Sequence, residues 1–272
     1  MSNHEANVID RIVDKLLESR KYRNIFRPAL ENVARWASKR YPRQREAEKA
    51  AKRKLHHVYG AYMTSGQLAR VEELVKGIEA AECPDEKAVC REVLKCHAST
   101  WERLDHIKNM YRDIAEIIGQ PRSVLELACG LNPFARPFMG LAPDASYLCI
   151  DIDCRLISQV ERFLARLPGR NEARCGDILL SVPADECDVV FLLKTLPCLE
   201  RQEAGASLRI LKALNATNVV VTFPRRSLSG RCRGMDGHYM GIMGDLINEL
   251  GWEMSELRYP LETVYVLKTR AR

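Results

Sequence analysis

The chain has 272 residues, 46% of them hydrophobic, which suits one large folded domain or a domain with an appendage. Its net charge of +6 is unevenly spread: residues 1–60 hold fifteen Lys/Arg against seven Asp/Glu, a balance of +8, which leaves −2 on the other 212 residues. A basic end on a near-neutral body points to an acidic partner such as nucleic acid or an anionic membrane surface, while no apolar run approaches the ~18 residues of a membrane span.

Residues 1–118 read as helical. Ile9, Ile12, Val13, Leu16 and Leu17 keep the i, i+3, i+4, i+7 spacing of an amphipathic helix. A second helix is predicted from about Asn24 to Ser38 with Pro28 in its first turn, a third and highly charged one over 43–58, and another that Pro84 interrupts. His97 to Arg103 opens a helix predicted to run to about Ile118, with Ser99 and Glu102 at capping-box spacing.

From Ser123 the pattern changes to short apolar strands alternating with helices. The predicted strands are 123–128, 146–151, 172–175, 188–194, 218–223, 254–258 and 263–269, with helices at 153–167, 199–214 and 236–250. Such alternation builds βαβ units and a mostly parallel sheet. Only Tyr259–Glu262 separates the last two strands, too little for a parallel crossover, so they form an antiparallel hairpin. The fold class is therefore α/β: a seven-stranded, mostly parallel sheet with a helical N-terminal extension, an order that resembles the class I, Rossmann-like methyltransferase sheet. The division is predicted as residues 1–95, a basic docking region, and 96–272, the sheet domain.

Three ligand-type signals fall at consecutive strand ends. Gly130 lies where the first strand turns, and glycine lets backbone approach a ligand closely. Asp151 ends the second strand, where an acid reaches ribose hydroxyls. Asp177 and Ile178 follow the third, placed to accept from an adenine amino group and to pack on its ring. No G-x-G-x-x-G phosphate cradle is present, which favours a ligand with an adenosine but no pyrophosphate. Both acids also fit plain loop or helix-cap carboxylates. The helix start at 97–103 suits a carboxylate, with Arg103 able to grip it bidentately; a plain cap with an exposed arginine fits the same residues.

The ten cysteines include no C-x-x-C pair, and several sit inside apolar runs, as small hydrophobes do. Cys83, Cys90, Cys96 and His97 are spaced unlike zinc modules. No metal site is expected, and the residues up to Arg11 lack the apolar core of a signal peptide, so a reduced, cytoplasmic protein is expected.

Residues 20–54 hold thirteen Lys/Arg against three Glu. Arg20, Lys21, Arg23 and Arg27 are expected to lead one helix; Arg45, Lys49 and Arg53 share one face of the next at i, i+4 and i+8. A solvated helix usually mixes signs through i, i+4 pairs, and acids are scarce here, so phosphate contact is expected. Arg225, Arg226, Arg231 and Arg233 follow the fifth predicted strand, on the same rim as the ligand signals, and are a second candidate phosphate contact.

The stretches HHVYGAY (56–62), HASTWERL (97–104), LELACGLNPF (125–134), LLKTLPCLERQ (192–202) and FPRRSLSGRCRGM (223–235) resemble the aminoglycoside-resistance 16S ribosomal RNA methyltransferases of the Arm, Rmt and Sgm type. They are collinear and cover most of the chain from about residue 50. The resemblance implies S-adenosylmethionine as cofactor, held by Tyr59, His97, Ala98, Ser99, Arg103, Ala128, Asp151, Asp177, Ile178, Leu193 and Gln202, with Gly130 added from the turn. It implies methylation of guanine N7 at the decoding site of 16S ribosomal RNA in the assembled 30S subunit, by a monomer. N7 carries a free lone pair and no proton, so no catalytic base is required, and the protein's task is alignment. Two residues depart from the family pattern: Trp101 stands where an arginine is usual, and Ala128 where a glycine is usual. A small-molecule methyltransferase explains the ligand signals but not the basic end. An adenine-N1 methyltransferase of the same ribosomal region and an inactive RNA-binding relative also stay open.

Overall fold

The computed structural model describes residues 3–58, 63–80, 86–225 and 235–270. The first three helices, α1 (Asn3–Leu17), α2 (Arg27–Arg40) and α3 (Gln44–Val58), pack as a unit. α1 inserts Ile9, Ile12, Val13 and Leu16 between α2 and α3, which meet through Ala29, Ala34, Ala37, Ala47, Ala50 and Ala51. Small side chains on both helices let their axes approach closely. α2 begins three residues later than its sequence pattern suggests, and Arg20–Arg23 lie in the preceding turn rather than on a helix. The backbone of 24–26 is otherwise engaged: Phe26 donates to the Ile152 carbonyl at 2.8 Å, and Cys154 donates to the Asn24 carbonyl at 2.9 Å.

Four more helices follow: α4 (Ser65–Ala80), α5 (Glu86–Leu94), α6 (Ala98–Trp101) and α7 (Ile107–Ile118). The continuous helix expected from 97 to 118 is broken at 102–106, and the cap differs from the expected box. Thr100 is buried and turns its hydroxyl to the Leu94 carbonyl at 2.6 Å, while Ser99 Oγ pairs with His97 Nδ1 at 2.8 Å rather than capping. Apolar residues of α4 and α5 (Leu68, Val71, Val75, Ile78, Val93, Leu94) share one core with α7 and the sheet. Packing therefore sets α1–α3 apart, whereas residues up to 95 belong to two different cores.

The sheet has seven strands: β1 (Ser123–Leu127), β2 (Ser146–Asp151), β3 (Asn171–Cys175), β4 (Cys187–Leu193), β5 (Ala216–Pro224), β6 (Glu253–Arg258) and β7 (Glu262–Lys268). Their order is β3-β2-β1-β4-β5-β7-β6, with β7 antiparallel to both of its neighbours. The order reverses between β1 and β4, and a ligand crevice opens at the carboxyl ends of strands at such a switch point. Helices α8 (Cys154–Leu164), α9 (Leu196–Gln202), α10 (Ala206–Ala213) and α11 (Met235–Leu250) connect the strands. The single helix expected over 199–214 is two, because Gly205 adopts φ 79° and the Glu200 carboxylate accepts the Gly205 and Ser207 amides at 2.9 and 2.7 Å. A 3-10 turn, Asn132–Phe138, follows β1 and carries no periodicity that would announce it. Glu72 and Glu79 on α4 pair with Arg155 and Arg162 on α8. The seven-residue step on both helices makes them run side by side in the same direction. Cys154, first in α8, and Cys175, last in β3, form a disulfide across a Cα separation of 5.0 Å, so the expectation of thiols throughout is corrected at this pair.

One buried ion pair ties these parts together. Arg103 Nε and Nη2 donate to the Glu262 carboxylate at 3.0 and 2.5 Å, and Nη1 donates to Asn132 Oδ1 at 2.7 Å. Burial works against the charge on Glu262, but Arg103 and Lys194 hold its carboxyl below the usual range. Glu262→Ala should cost about 3–5 kcal/mol, because it strands a buried guanidinium, whereas an Arg103→Met/Glu262→Leu double variant should cost clearly less. Urea unfolding checks this; equal losses in both variants would refute the account. Ala128 sits at φ 54° directly after β1, a conformation that burdens any residue with a Cβ. Ala128→Gly should therefore raise stability by up to ~1 kcal/mol after the glycine entropy cost, measured as a higher urea midpoint; a lower midpoint would show that the turn is unstrained.

Candidate functional site

A cavity of about 470 Å³ opens over the carboxyl ends of β1 to β4. Its wall includes His97, Ser99, Arg103, Ala128, Gly130, Asp151, Asp177, Ile178, Leu193 and Gln202, ten of the residues singled out from the sequence. Ala98 lies on α6 but not on the wall, and Tyr59 falls outside the described residues. Pattern reading missed Asn132, Asp153, Leu156, Lys194, Thr195 and Leu199, which also line it. Lys194 and Thr195 stand inside the LLKTLPCLERQ stretch, so a signal existed for them, and Asp153 is a recognisable helix cap that accepts from the Arg155 and Leu156 amides.

The two strand-end acids are fixed by backbone donors. Asp151 Oδ2 accepts from Gly130 at 2.9 Å, and Oδ1 accepts from Asp153 at 3.0 Å. Burial pushes its carboxyl up to about 6, partly countered by these hydrogen bonds. Each oxygen keeps a second lone pair, so the group can still accept two neighbouring hydroxyls. Asp177 Oδ1 accepts from Leu179 at 2.9 Å, and burial also raises this carboxyl. The expectation of plain turn carboxylates is thus half right: both acids fold their own loops, yet both also border the cavity. Gly130, at φ 52°, brings its backbone against the His97 ring, where an added Cβ would come within 3.9 Å of Nε2.

On the β4 side, burial and the Lys194 and Arg103 charges push His97 down to about 4, so its imidazole is neutral near pH 7. Lys194, at φ 59°, donates to the Glu102 carboxylate at 2.5 Å and to the Ser99 carbonyl at 3.4 Å. The expectation that Arg103 grips a ligand carboxylate with its fork needs correction: that fork holds Glu262, and Arg103 reaches the cavity as one half of a neutralised pair. Among the described residues, no group of three His, Cys, Asp or Glu is placed to hold a metal ion, and no helix is long and apolar enough to cross a membrane.

The basic residues separate into two groups. Arg45, Lys49 and Arg53 are exposed along one face of α3, opposite the buried Ala47, Ala51 and Leu55. Arg23 and Arg27 are also exposed, with Arg27 paired to Glu31. Arg20 and Lys21, by contrast, border the cavity together with Asn24. Arg225 Nη1 donates to the Tyr259 carbonyl at 3.0 Å, and Arg226, Arg231 and Arg233 lie outside the described residues.

Comparison with known proteins agrees with this architecture. Residues 18–266 match the family model described as ribosomal RNA methyltransferase (FmrO). The chain is 33% identical over 264 residues to a 16S rRNA (guanine(1405)-N(7))-methyltransferase of Micromonospora echinospora, covering 96% of each chain. It is 34% identical to a protein of the same name from Proteus mirabilis, over 96% of this chain and 97% of that one. Among solved structures it is similar to the 16S rRNA methyltransferase RmtF in complex with S-adenosyl-L-homocysteine, with a TM-score of 0.84, 30% identity, and coverage of 99% and 100% of the two chains. It also resembles the 16S rRNA methylase RmtB, with a TM-score of 0.79, 27% identity, and coverage of 96% and 98%. With a seven-stranded methyltransferase sheet, a cavity at its switch point and a family match across nearly its whole length, the chain belongs to the FmrO family of ribosomal RNA methyltransferases.

Proposed function

We propose that the chain transfers a methyl group from S-adenosylmethionine to N7 of a decoding-site guanine in 16S ribosomal RNA, and so confers aminoglycoside resistance. The observation that carries this reading is the switch-point cavity, with carboxylates on consecutive strand ends and an exposed basic helix face on the same molecule. The names of the relatives supply the base and the atom. The acceptor is the assembled 30S subunit, the protein works as a monomer in the cytoplasm, and α1–α3 form the docking unit.

The residues present fit the cofactor. Asp151 suits the ribose hydroxyls, Asp177 the adenine amino group, and Ile178 with Leu199 an apolar ring slot. When bound, S-adenosylmethionine supplies an electrophilic methyl group on a sulfonium. Neutral His97 and charge-paired Lys194 and Arg103 present little net positive charge to such a centre. Guanine N7 needs no deprotonation, so these residues act by fixing two reactants in line, an effect that reaches ~7–11 kcal/mol when alignment is complete. The RNA phosphates meet the α3 stripe, whose steps of about 6 Å match neighbouring phosphates.

Cofactor binding should depend on pH through Asp151. A hydroxyl donor favours the ionised carboxylate, so binding lowers the carboxyl from about 6. Affinity should therefore weaken as pH falls below that value and level off above it. Asp151→Asn should bind roughly tenfold or more weakly and flatten the profile. Titration calorimetry decides: constant wild-type affinity down to about pH 5 would remove Asp151 from the site.

Mass spectrometry of treated 30S subunits should find the new methyl group on N7 of one decoding-site guanine; a methyl on adenine would overturn the proposal. Reversing Arg45, Lys49 and Arg53 together to Glu should abolish that methylation, leave cofactor affinity unchanged, and make subunit binding less steep in salt. Wild-type methylation rates in the triple variant would move docking to another surface.

A further inference from the structure

Trp101 is 64% exposed, the most exposed large apolar side chain among the described residues. Tryptophan is usually well buried, and here nothing local demands otherwise. Its backbone is held firmly. The Trp101 amide donates to the His97 carbonyl at 2.9 Å, Thr100 is pinned to the Leu94 carbonyl, and the neighbouring Glu102 is paired with Lys194. Ser99 two residues before and Arg103 two residues after both line the cavity. A fixed turn on the cavity wall thus projects a solvent-facing indole.

The position of that turn bears on what the indole meets. The carboxylates of Asp151 and Asp177 assign the β2 and β3 ends to the cofactor. The acceptor must then approach from the β4 side, where Lys194 bonds α6 directly. A base methylated at this site has to leave its stack, which leaves neighbouring bases exposed. An aromatic platform replaces the lost stacking and tolerates any base. Glu102 beside Trp101 is already paired with Lys194 and Arg103 with Glu262, while Asp105 is exposed, so this turn offers a phosphate no excess positive charge and a base face is the compatible contact.

We propose that Trp101 is a substrate-positioning residue whose indole stacks on a nucleobase of the ribosomal RNA next to the target guanine. This rests on the RNA-methylation reading above. The test is steady-state methyl transfer to 30S subunits by wild type, Trp101→Ala and Trp101→Phe, with cofactor affinity measured on the same preparations. Trp101→Ala should lower kcat/KM for subunits about tenfold, mainly through KM, with cofactor affinity unchanged, and Trp101→Phe should recover most of the loss. Ultraviolet cross-linking of the wild type to subunits should attach a nucleotide to the peptide containing Trp101. The proposal is overturned by wild-type kinetics in Trp101→Ala, by an equal loss in Trp101→Phe, by a parallel fall in cofactor affinity, or by a cross-link to ribosomal protein instead of RNA. If the wild type itself transfers no methyl group to subunits, the functional reading fails instead.

Discussion

The buried pair of Arg103 and Glu262 is the constraint on which the catalytic rim depends. The two residues are 159 positions apart, and their union fixes three elements at once. Arg103 anchors the turn after α6. Glu262 begins β7, which runs antiparallel and so brings its first residue beside Pro224 at the carboxyl end of β5. Asn132, gripped by the remaining guanidinium nitrogen and by the Tyr111 hydroxyl, fixes the 3-10 turn after β1. Lys194 stands 3.9 Å from the same carboxylate and carries the constraint to the end of β4. A hydrophobic replacement could equal the pair in stability, but it would not orient three loops through directional bonds around one cavity.

A second set of contacts joins the basic helices to that cavity. Ile25 forms a bridge with Asp153, the cap of α8, and Phe26 bonds the Ile152 carbonyl. Lys54 on α3 lies 4.2 Å from the centre of the Trp36 ring and donates to the Gln202 carbonyl at 2.7 Å. The unit bearing the Arg45–Arg53 stripe is therefore bonded to two segments that border the cavity, the turn after β2 and the end of α9. Arg20 and Lys21 complete that wall from the turn between α1 and α2. These contacts hold the stripe and the cavity in fixed register.

The sheet was legible in the sequence because strands buried on both faces must be almost continuously apolar. β4 and β5, buried along nearly their full length, were the plainest; β3, an edge strand with half-exposed residues, was the weakest. The strand-end acids that border the cavity were legible for a related reason, since they sit where apolar runs end. Helix breaks at 102–106 and 203–205 were not legible. The first break comes from a tertiary bond, Arg103 turning inward to Glu262, and the second from a local one, Glu200 taking the Gly205 and Ser207 amides around the positive-φ Gly205. Arg103 itself was recognisable as a site residue, but its role depended on a partner far along the chain. Charge alone made Arg20 and Lys21 candidate RNA contacts, and charge carries no information about the cavity that their turn borders.

These features bear on what kind of catalyst the fold supports. A reaction that needs no proton removed gains little from a general base, and the cavity's titratable groups are arranged accordingly. His97 is neutral, Arg103 and Lys194 are neutralised by Glu262 and Glu102, and both strand-end acids are tied down by backbone amides. What remains is geometry. Alignment is sensitive to displacements of an ångström, and such sensitivity explains why so much directional bonding is concentrated beneath a pocket with so little acid–base chemistry. The positive φ angles of Ala128 and Lys194 fall at the two strand ends that flank the switch point. Backbone strain persists only where surrounding structure over-determines it. Its location on both lips of the crevice indicates that the fold gives up some stability to hold those two turns open for the reacting pair.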